Sequence, residues 1–403
     1  MSEAKQVTFE ELGLNEDLLR GLGDLGFKYA TPIQADAIPI ILNHEDIIGC
    51  AQTGTGKTAA FLLPIIHHIQ AKGNPDSLQC LIIVPTRELA IQIDQQLQGL
   101  SYYTGISSIA IYGGSDGDTF TKEKTALETG AQIVIATPGR LKVHLSMSYS
   151  KLDQLSFLVL DEADRMLDMG FVDDIKLIIA QLPKKRQNLM FSATMAPKIR
   201  TLAKDILHEP KEINIAVSMP AEKIIQVGFS VYETQKIPLI QHIFKAKSFN
   251  KVIIFCSTKQ STKALFQSLK KLGLNVADIH SDLEQSEREK VLNDFRSEKL
   301  NILVATDVLS RGIDIEDIEL VINFDVPNEG ADYIHRIGRT ARAASKGAAF
   351  TLIDPSTQRK FQQIEQLIGR EVPKGKVPDH LGEAPEYNPS AQKKDSGGYR
   401  RKR

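Results

Sequence analysis

The stretch Ala51-Gln52-Thr53-Gly54-Thr55-Gly56-Lys57-Thr58 holds glycines, a lysine and hydroxyls in an order suited to binding an anion. A β-prone apolar run, Ile47-Ile48-Gly49-Cys50, leads into it, and a helix-compatible run, Ala59-Ala60-Phe61-Leu62-Leu63, follows. Strand, glycine loop and helix start together make a phosphate site. Gly54 and Gly56 let the backbone curl so that successive N–H groups point inward, and the helix dipole adds positive potential. Lys57 then reaches the outer phosphates, and the Thr58 hydroxyl can ligate Mg²⁺. The general phosphate-loop pattern opens with glycine, where this chain has Ala51. The stretch reads as a nucleoside triphosphate site contacted by Thr53, Gly54, Thr55, Gly56, Lys57 and Thr58.

A second group, Asp161-Glu162-Ala163-Asp164, follows the apolar run Phe157–Leu160. Alone, acids at this spacing describe a capped helix start. Downstream of a phosphate loop, a strand ending in aspartate is where such folds keep the carboxylate for Mg²⁺. Asp161 is therefore expected to hold the metal, through water, with Glu162 polarising the attacking water.

These residues need a scaffold, and 403 residues suit two domains of about 150–200 each. Residues 8–45 read as helical, with Leu14, Leu18, Leu22 and Leu25 spaced for one buried face and Thr31-Pro32 turning into the next helix. Short β-rich runs then alternate with helical stretches: Ile47–Cys50, Cys80–Val84, Ser108–Tyr112, Gln132–Ala136, Phe157–Leu160 and Gln187–Phe191. Between them, Glu88–Leu97 places Leu89, Ile93 and Leu97 on one helical face. Residues 216–223 break the rhythm as a linker, and it restarts with Val252–Cys256, Val276–Ile279, Ile302–Ala305, Leu320–Asn323 and Ala348–Ile353. Leu265, Leu269 and Leu272 are in helical register between them. The expected fold class is α/β, with domains at 1–215 and 224–370, each a mostly parallel sheet with helices on both faces. From residue 371 the proline-, glycine- and arginine-containing segment reads as a disordered basic tail.

The bulk numbers set limits. With 49 Lys and Arg against 50 Asp and Glu, the net charge of −1 gives no argument for nucleic-acid binding, so local residues must supply it. Cys50, Cys80 and Cys256 lie far apart in apolar runs and read as buried thiols of a reducing compartment. The N-terminus has no apolar stretch of a signal peptide, and no run approaches the ~18 residues of a membrane span. A cytoplasmic protein with no membrane association is expected, and a monomer.

Downstream of the phosphate loop, Asp161-Glu162-Ala163-Asp164 resembles the signature of the DEAD-box ATP-dependent RNA helicases, and the resemblance extends over about residues 9–355. The family's motifs occur in its order. Gly26-Phe27-Lys28-Tyr29-Ala30-Thr31-Pro32-Ile33-Gln34 resembles the adenine-reading segment, with Phe9 standing 17 residues before Gly26. Pro85-Thr86-Arg87-Glu88-Leu89-Ala90, Gly113-Gly114, Thr137-Pro138-Gly139-Arg140 and Ser192-Ala193-Thr194 follow. The second half carries Gln285 with Arg288, then Ala305-Thr306-Asp307 running to Arg311-Gly312-Ile313-Asp314, and His335-Arg336-Ile337-Gly338-Arg339-Thr340-Ala341-Arg342. Ala30, Ser281 and Ala341 stand where the family has proline, glycine and glycine, which touches local backbone geometry and not the reacting groups.

The resemblance implies two tandem RecA-like domains, ATP and Mg²⁺ as cofactors, and RNA as partner. Phe9, Phe27 and Gln34 would meet the adenine, since a carboxamide can donate and accept at once and an aromatic ring can stack. Asp314 would meet the ribose, and Gly312 would let backbone approach the phosphates. Arg339 and Arg342, three apart and so on one face of a helix, would act as arginine fingers. Asp164, Ser192, Thr194 and His335 would couple ATP state to RNA. Pro85, Thr86, Arg87, Gly113, Gly114, Thr137, Pro138, Gly139 and Arg140, with Arg288, Thr306 and Asp307 in the second half, would hold one RNA strand by its backbone, without sequence code. Splitting the phosphate loop and acids from the arginines implies that neither half hydrolyses ATP well alone.

Two other classes share these residues. An ATP-gated RNA clamp with little turnover is opposed by the intact set Lys57, Asp161, Glu162, Arg339 and Arg342. A DNA translocase of the same superfamily is disfavoured by Asp161–Asp164 and Phe27–Gln34. The basic tail reads equally as a solubility tail or an RNA contact, and deletion of residues 391–403 separates these. An RNA contact predicts a flatter salt dependence of RNA affinity with ATP affinity unaltered, whereas an unchanged slope assigns the tail to solvation.

Overall fold

The computed structural model describes residues 6–51, 54–73, 75–114, 117–147, 152–215, 224–306, 318–328, 330–340 and 347–390. The chain divides near residue 218 into two compact units, each with its own sheet. The expected linker, residues 216–223, and the tail from 391 lie outside the described residues.

In the first unit, seven strands form the sheet: Ile47–Cys50 (β1), Cys80–Ile83 (β2), Ser108–Ile111 (β3), Ile133–Ala136 (β4), Phe157–Leu160 (β5), Gln187–Ser192 (β6) and Lys211–Asn214 (β7). Their order is β3-β4-β2-β5-β6-β1-β7 and every pairing is parallel. Helices cover both faces: Glu16–Asp24 (α1), Pro32–Leu42 (α2), Lys57–Ala71 (α3), Arg87–Leu100 (α4), Gly117–Thr129 (α5), Pro138–Ser146 (α6), Ala163–Asp168 (α7), Val172–Ile179 (α8) and Pro197–Ile206 (α9). The pleat sorts β2 between two apolar layers. Cys80 and Ile82 pack with α1 to α4, and Leu81 and Ile83 pack with α5 to α9. Burial on both faces explains why these strands are continuous apolar runs.

The second unit repeats the plan with Ile225–Ser230 (β8), Glu233–Ala246 (α10), Val252–Cys256 (β9), Lys259–Lys271 (α11), Val276–Ile279 (β10), Gln285–Arg296 (α12), Ile302–Thr306 (β11), Leu320–Asn323 (β12), Gly330–Ile337 (α13), Ala348–Ile353 (β13) and Gln358–Leu367 (α14). The parallel strand order is β10-β11-β9-β12-β13-β8. A polar frame ties its strand ends together. Buried Lys236 donates to Asp325 at 2.8 Å and pairs with Glu233 at 2.7 Å, while Asp325 accepts from the Ser257 N–H at 2.8 Å. Arg336 Nη1 donates to Asn323 Oδ1 at 2.9 Å and to the Asp325 carbonyl at 3.1 Å, which fixes α13 to β12.

Three expectations require correction. Leu25 is 48% exposed, because α1 ends at Asp24 and Gly26 turns away at φ +76°, so only Leu14, Leu18 and Leu22 are buried. Strands β7 and β8 were not expected, since β7 is an edge strand with Ile213 alone buried and offers no apolar run. The tail does not begin at 371. Residues 372–388 are bound to the second unit: Gly375 N–H donates to Gly228 O at 2.8 Å, Tyr387 Oη to Glu365 at 2.7 Å, and Gln358 Nε2 to Glu386 O at 2.8 Å.

Asp46 shows how the first unit fastens the start of β1. Its buried carboxylate accepts from the Asn188 N–H at 2.7 Å, Asn188 Nδ2 at 3.0 Å and the His208 N–H at 2.8 Å. Asp46→Ala strands these buried donors, and the first unit is expected to lose roughly 2–4 kcal/mol of stability, read from urea unfolding. Unchanged unfolding would mean that water replaces the carboxylate.

Candidate nucleotide and nucleic-acid site

In an open parallel sheet the loops after the strands share one edge, where ligands bind. The strand order divides that edge. The neighbours β5, β6 and β1 end in Asp161–Asp164, Ser192–Thr194 and the phosphate loop, whereas β3, β4 and β2 end in Gly113-Gly114, Thr137–Arg140 and Pro85–Arg87. Groups distant in sequence are adjacent for this reason.

The phosphate loop runs from β1 into α3. Gly54 and Gly56 have φ +79° and +91°, and Gly56 caps α3. A side chain at Gly56 would lie 2.4 Å from Gln34 Nε2, so the loop demands glycine there on both counts. Lys57 is buried, with Nζ donating to the Ala51 carbonyl at 2.6 Å. An ammonium has three donors, so this bond leaves two for an anion. Thr58 is half-buried in the first turn of α3, Thr55 lies in the loop, and Thr53 falls outside the described residues.

Gln34 is buried on α2 and already occupied at both ends of its amide. Oε1 accepts from the Thr31 N–H at 2.9 Å, and Nε2 donates to the Gly56 carbonyl at 3.1 Å. The glutamine thus joins a helix cap to the phosphate loop, leaving one N–H and one lone pair for a base. Phe27, 55% exposed, presents an open ring, whereas Phe9 is buried in the apolar layer with Leu12 and Leu14. Thr31, which belongs to the same sequence segment as Gln34 but was given no contact role of its own, has its Oγ1 buried without a hydrogen-bond partner among the described residues. Its spacing from Gln34, Thr-x-x-Gln, is the capping-box signature that signals it.

Asp161 is buried at the end of β5, and burial pushes its carboxyl up to about 6, with Lys57 opposing the shift and Glu162 adding to it. Its Oδ1 accepts from the Glu162 N–H at 3.0 Å. Glu162 has a left-handed backbone at φ +51°, a strained turn for a side chain with a Cβ, and pairs with Arg165 at 3.2 Å. Asp164 reaches β6: Oδ2 accepts from the N–H groups of Ala193 and Thr194, at 3.1 and 3.0 Å, and from Thr194 Oγ1 at 3.2 Å. Ser192 Oγ donates to the Thr194 carbonyl at 2.7 Å. The acidic loop and the Ser192–Thr194 turn are therefore one hydrogen-bonded unit. Asp161 and Thr58 offer hard oxygen donors. Among the described residues no group of three or more His, Cys, Asp or Glu could hold a metal ion.

On the other half of the edge, Thr86 caps α4 and accepts from the Leu89 N–H at 3.3 Å, next to buried Pro85. The Arg87 guanidinium lies 4.4 Å from the Tyr112 ring centroid and borders Gly114, which has φ +83°. Thr137 caps α6, with Pro138 in its first turn, then Gly139 and Arg140. Arg140 pairs with Glu123 on α5, a residue that sequence reasoning missed.

In the second unit, Arg288 in α12 donates to the Ser281 carbonyl at 2.9 Å, and Thr306 ends β11. His335 lies in the last turn of α13. That helix stops at Ile337, so Arg339 lies in the following turn and not on a helix as expected. The Thr340 bridge to Ile318 ends the helical path. Gly312, Asp314, Asp307 and Arg342 lie outside the described residues.

A model of the DEAD/DEAH box helicases matches residues 31–202, and one of the helicase conserved C-terminal domain matches 235–344. The ATP-dependent RNA helicase CshA of Listeria monocytogenes is 42% identical over 365 residues, covering 90% of this chain and 69% of that protein. The ATP-dependent RNA helicase DeaD of Haemophilus influenzae is 40% identical over 379 residues, covering 93% of this chain and 61% of that protein. The structure of S. cerevisiae Dbp5 bound to RNA and ADP BeF3 is similar with a TM-score of 0.81 and 32% identity, over 91% of this chain and 95% of that one.

Burial of Asp161 has a testable cost. A carboxyl raised above its unfolded value binds protons more tightly when folded, so stability rises as pH falls through about 6 towards 4. Asp161→Asn keeps the acceptor without the charge. It is expected to be more stable than the wild type at pH 8, by up to about 3 kcal/mol, with the gap closing by pH 4. A gap independent of pH in urea titrations would contradict the burial argument.

Proposed function

The chain belongs to the DEAD-box ATP-dependent RNA helicases, and from that premise we propose that it couples ATP hydrolysis to local, sequence-independent opening of RNA duplexes or remodelling of RNA–protein complexes. One observation supports this best: a phosphate loop, two acids and a hydrogen-bonded Asp164–Thr194 link lie at the ends of β1, β5 and β6, beside helix starts and arginines at the ends of β2, β3 and β4. Nucleotide chemistry and strand binding share one rigid edge.

The loop N–H groups and Lys57 bind the phosphates of ATP, with Gln34 and Phe27 at the base and Phe9 supporting that segment from the core. Thr58 and Asp161 would hold Mg²⁺, which when bound neutralises phosphate charge as a Lewis acid. Glu162 accepts a proton from the attacking water. Arg339 and Arg342 supply positive charge to the transferring phosphoryl group, and Asp314 and Gly312 contact the nucleotide. RNA phosphates meet the Thr86 and Thr137 helix starts, the Gly113-Gly114 and Gly139 backbone, Arg87 and Arg140, and in the second unit Arg288, Thr306 and Asp307. Asp164, Ser192, Thr194 and His335 transmit ATP state to these contacts. The helicase domains are residues 1–215 and a second domain that begins at 224 and includes the bound segment to residue 388, acting as a cytoplasmic monomer.

Glu162→Gln separates binding from chemistry. RNA binding that depends on ATP is expected to persist while turnover falls roughly 10²–10⁴-fold, the usual contribution of a general base. Full turnover in this variant, measured with saturating RNA, would remove Glu162 from its role.

A further inference from the structure

Outside the motif residues, the first unit contains a buried carboxylate that its apolar layers do not require. Glu123 on α5 is 0% exposed, and its Oε1 has no hydrogen-bond partner among the described residues. Its Oε2 receives Arg140 Nε at 2.8 Å, Arg140 Nη2 at 2.7 Å and His144 Nε2 at 2.9 Å. His144 is also 0% exposed, and beside an ionised carboxylate that ring nitrogen must carry the proton. Phe120, three residues earlier on α5, stacks on the His144 ring with centroids 4.6 Å apart and 14° between planes. The Arg140 guanidinium lies 4.8 Å from the centroid of the Phe120 ring.

Stability does not explain this cluster. A buried ion pair is often no better than apolar side chains of equal volume, and an unsatisfied buried oxygen adds a further cost. What the arrangement achieves is control of one guanidinium. Carboxylate and ring together confine Arg140, in the first turn of α6 just after the Thr137 cap. An arginine that binds a phosphate from a free rotamer ensemble loses that freedom on binding, whereas a confined one has lost it beforehand.

We propose that Glu123, backed by His144 and Phe120, is a positioning residue that pre-orders Arg140 for an RNA phosphate. This rests on Arg140 being an RNA contact. Glu123 acts through Arg140 and touches neither RNA nor ATP.

The test is a double-mutant cycle on the full chain, with a single-stranded RNA and a non-hydrolysable ATP analogue, read as RNA affinity across salt. Arg140→Ala is expected to weaken RNA binding and reduce the salt slope by about 0.7, one phosphate contact on a single strand. Glu123→Gln is expected to weaken RNA binding roughly two- to tenfold, the ordering cost of one long side chain, with affinity for the ATP analogue alone unchanged. Adding Glu123→Gln to Arg140→Ala should then cost nothing more. Phe120→Leu, at a half-buried position, should give the same RNA-specific loss and serves if Glu123→Gln unfolds. Unchanged or tighter RNA binding in Glu123→Gln, or additive losses in the double variant, overturns the positioning role while leaving Arg140 as an RNA contact. No effect of Arg140→Ala overturns both.

Discussion

Parallel pairing of β5, β6 and β1 is the constraint on which the rest depends. Parallel strands end on the same edge, so their following loops are neighbours whatever their distance along the chain. The register carries Leu160 opposite Met190 and Cys50 opposite Ser192, which brings the acidic loop, the Ser192–Thr194 turn and the phosphate loop together. Asp164 closes the gap by taking the Ala193 and Thr194 N–H groups. Any shift in strand register would separate the phosphate loop and the acidic loop from the Ser192–Thr194 turn.

The same edge concentrates unfavourable electrostatics. Asp161 is held where ionisation is disfavoured, Glu162 sits on a left-handed backbone, and Lys57 is removed from water onto a carbonyl. Burial of the Asp161 carboxyl and the left-handed backbone at Glu162 both cost the first unit stability. The second unit follows another rule. Among the described residues, buried Lys236 pairs with the Asp325 carboxylate and buried Arg336 is hydrogen-bonded to the neutral Asn323 amide, and both anchor the strand end that precedes α13.

Much of this was legible in the sequence, for identifiable reasons. Strands such as β1, β5, β9 and β12 are apolar on both faces and read as unbroken runs, so their boundaries agree with the expected ones. Strands β7 and β8 lack that signal because buried positions alternate with exposed or half-buried ones along them, so neither is an unbroken apolar run. The phosphate loop and the acids are local patterns and were found as such. Tertiary pairs left no local trace: Asp164 meets residues 29 and 30 positions away, and Glu123 meets Arg140 across 17. The segment after residue 370 misled because its prolines suggest disorder, yet Tyr387 and the Gly375 backbone find partners that composition does not show. The turn carrying Arg339 was read as helix since its spacing from Arg342 suits one, while the Thr340 bridge to Ile318 ends the helix first.

The central claim is the proposal that nucleotide and strand contacts are coupled through this one edge of the first unit, so that ATP is consumed only when RNA is bound. Steady-state ATP hydrolysis by the intact chain, with and without a short single-stranded RNA, measures this directly. The account predicts a low basal rate that rises severalfold or more with RNA and far less with DNA of the same sequence. Equal rates in the absence and presence of RNA would contradict it.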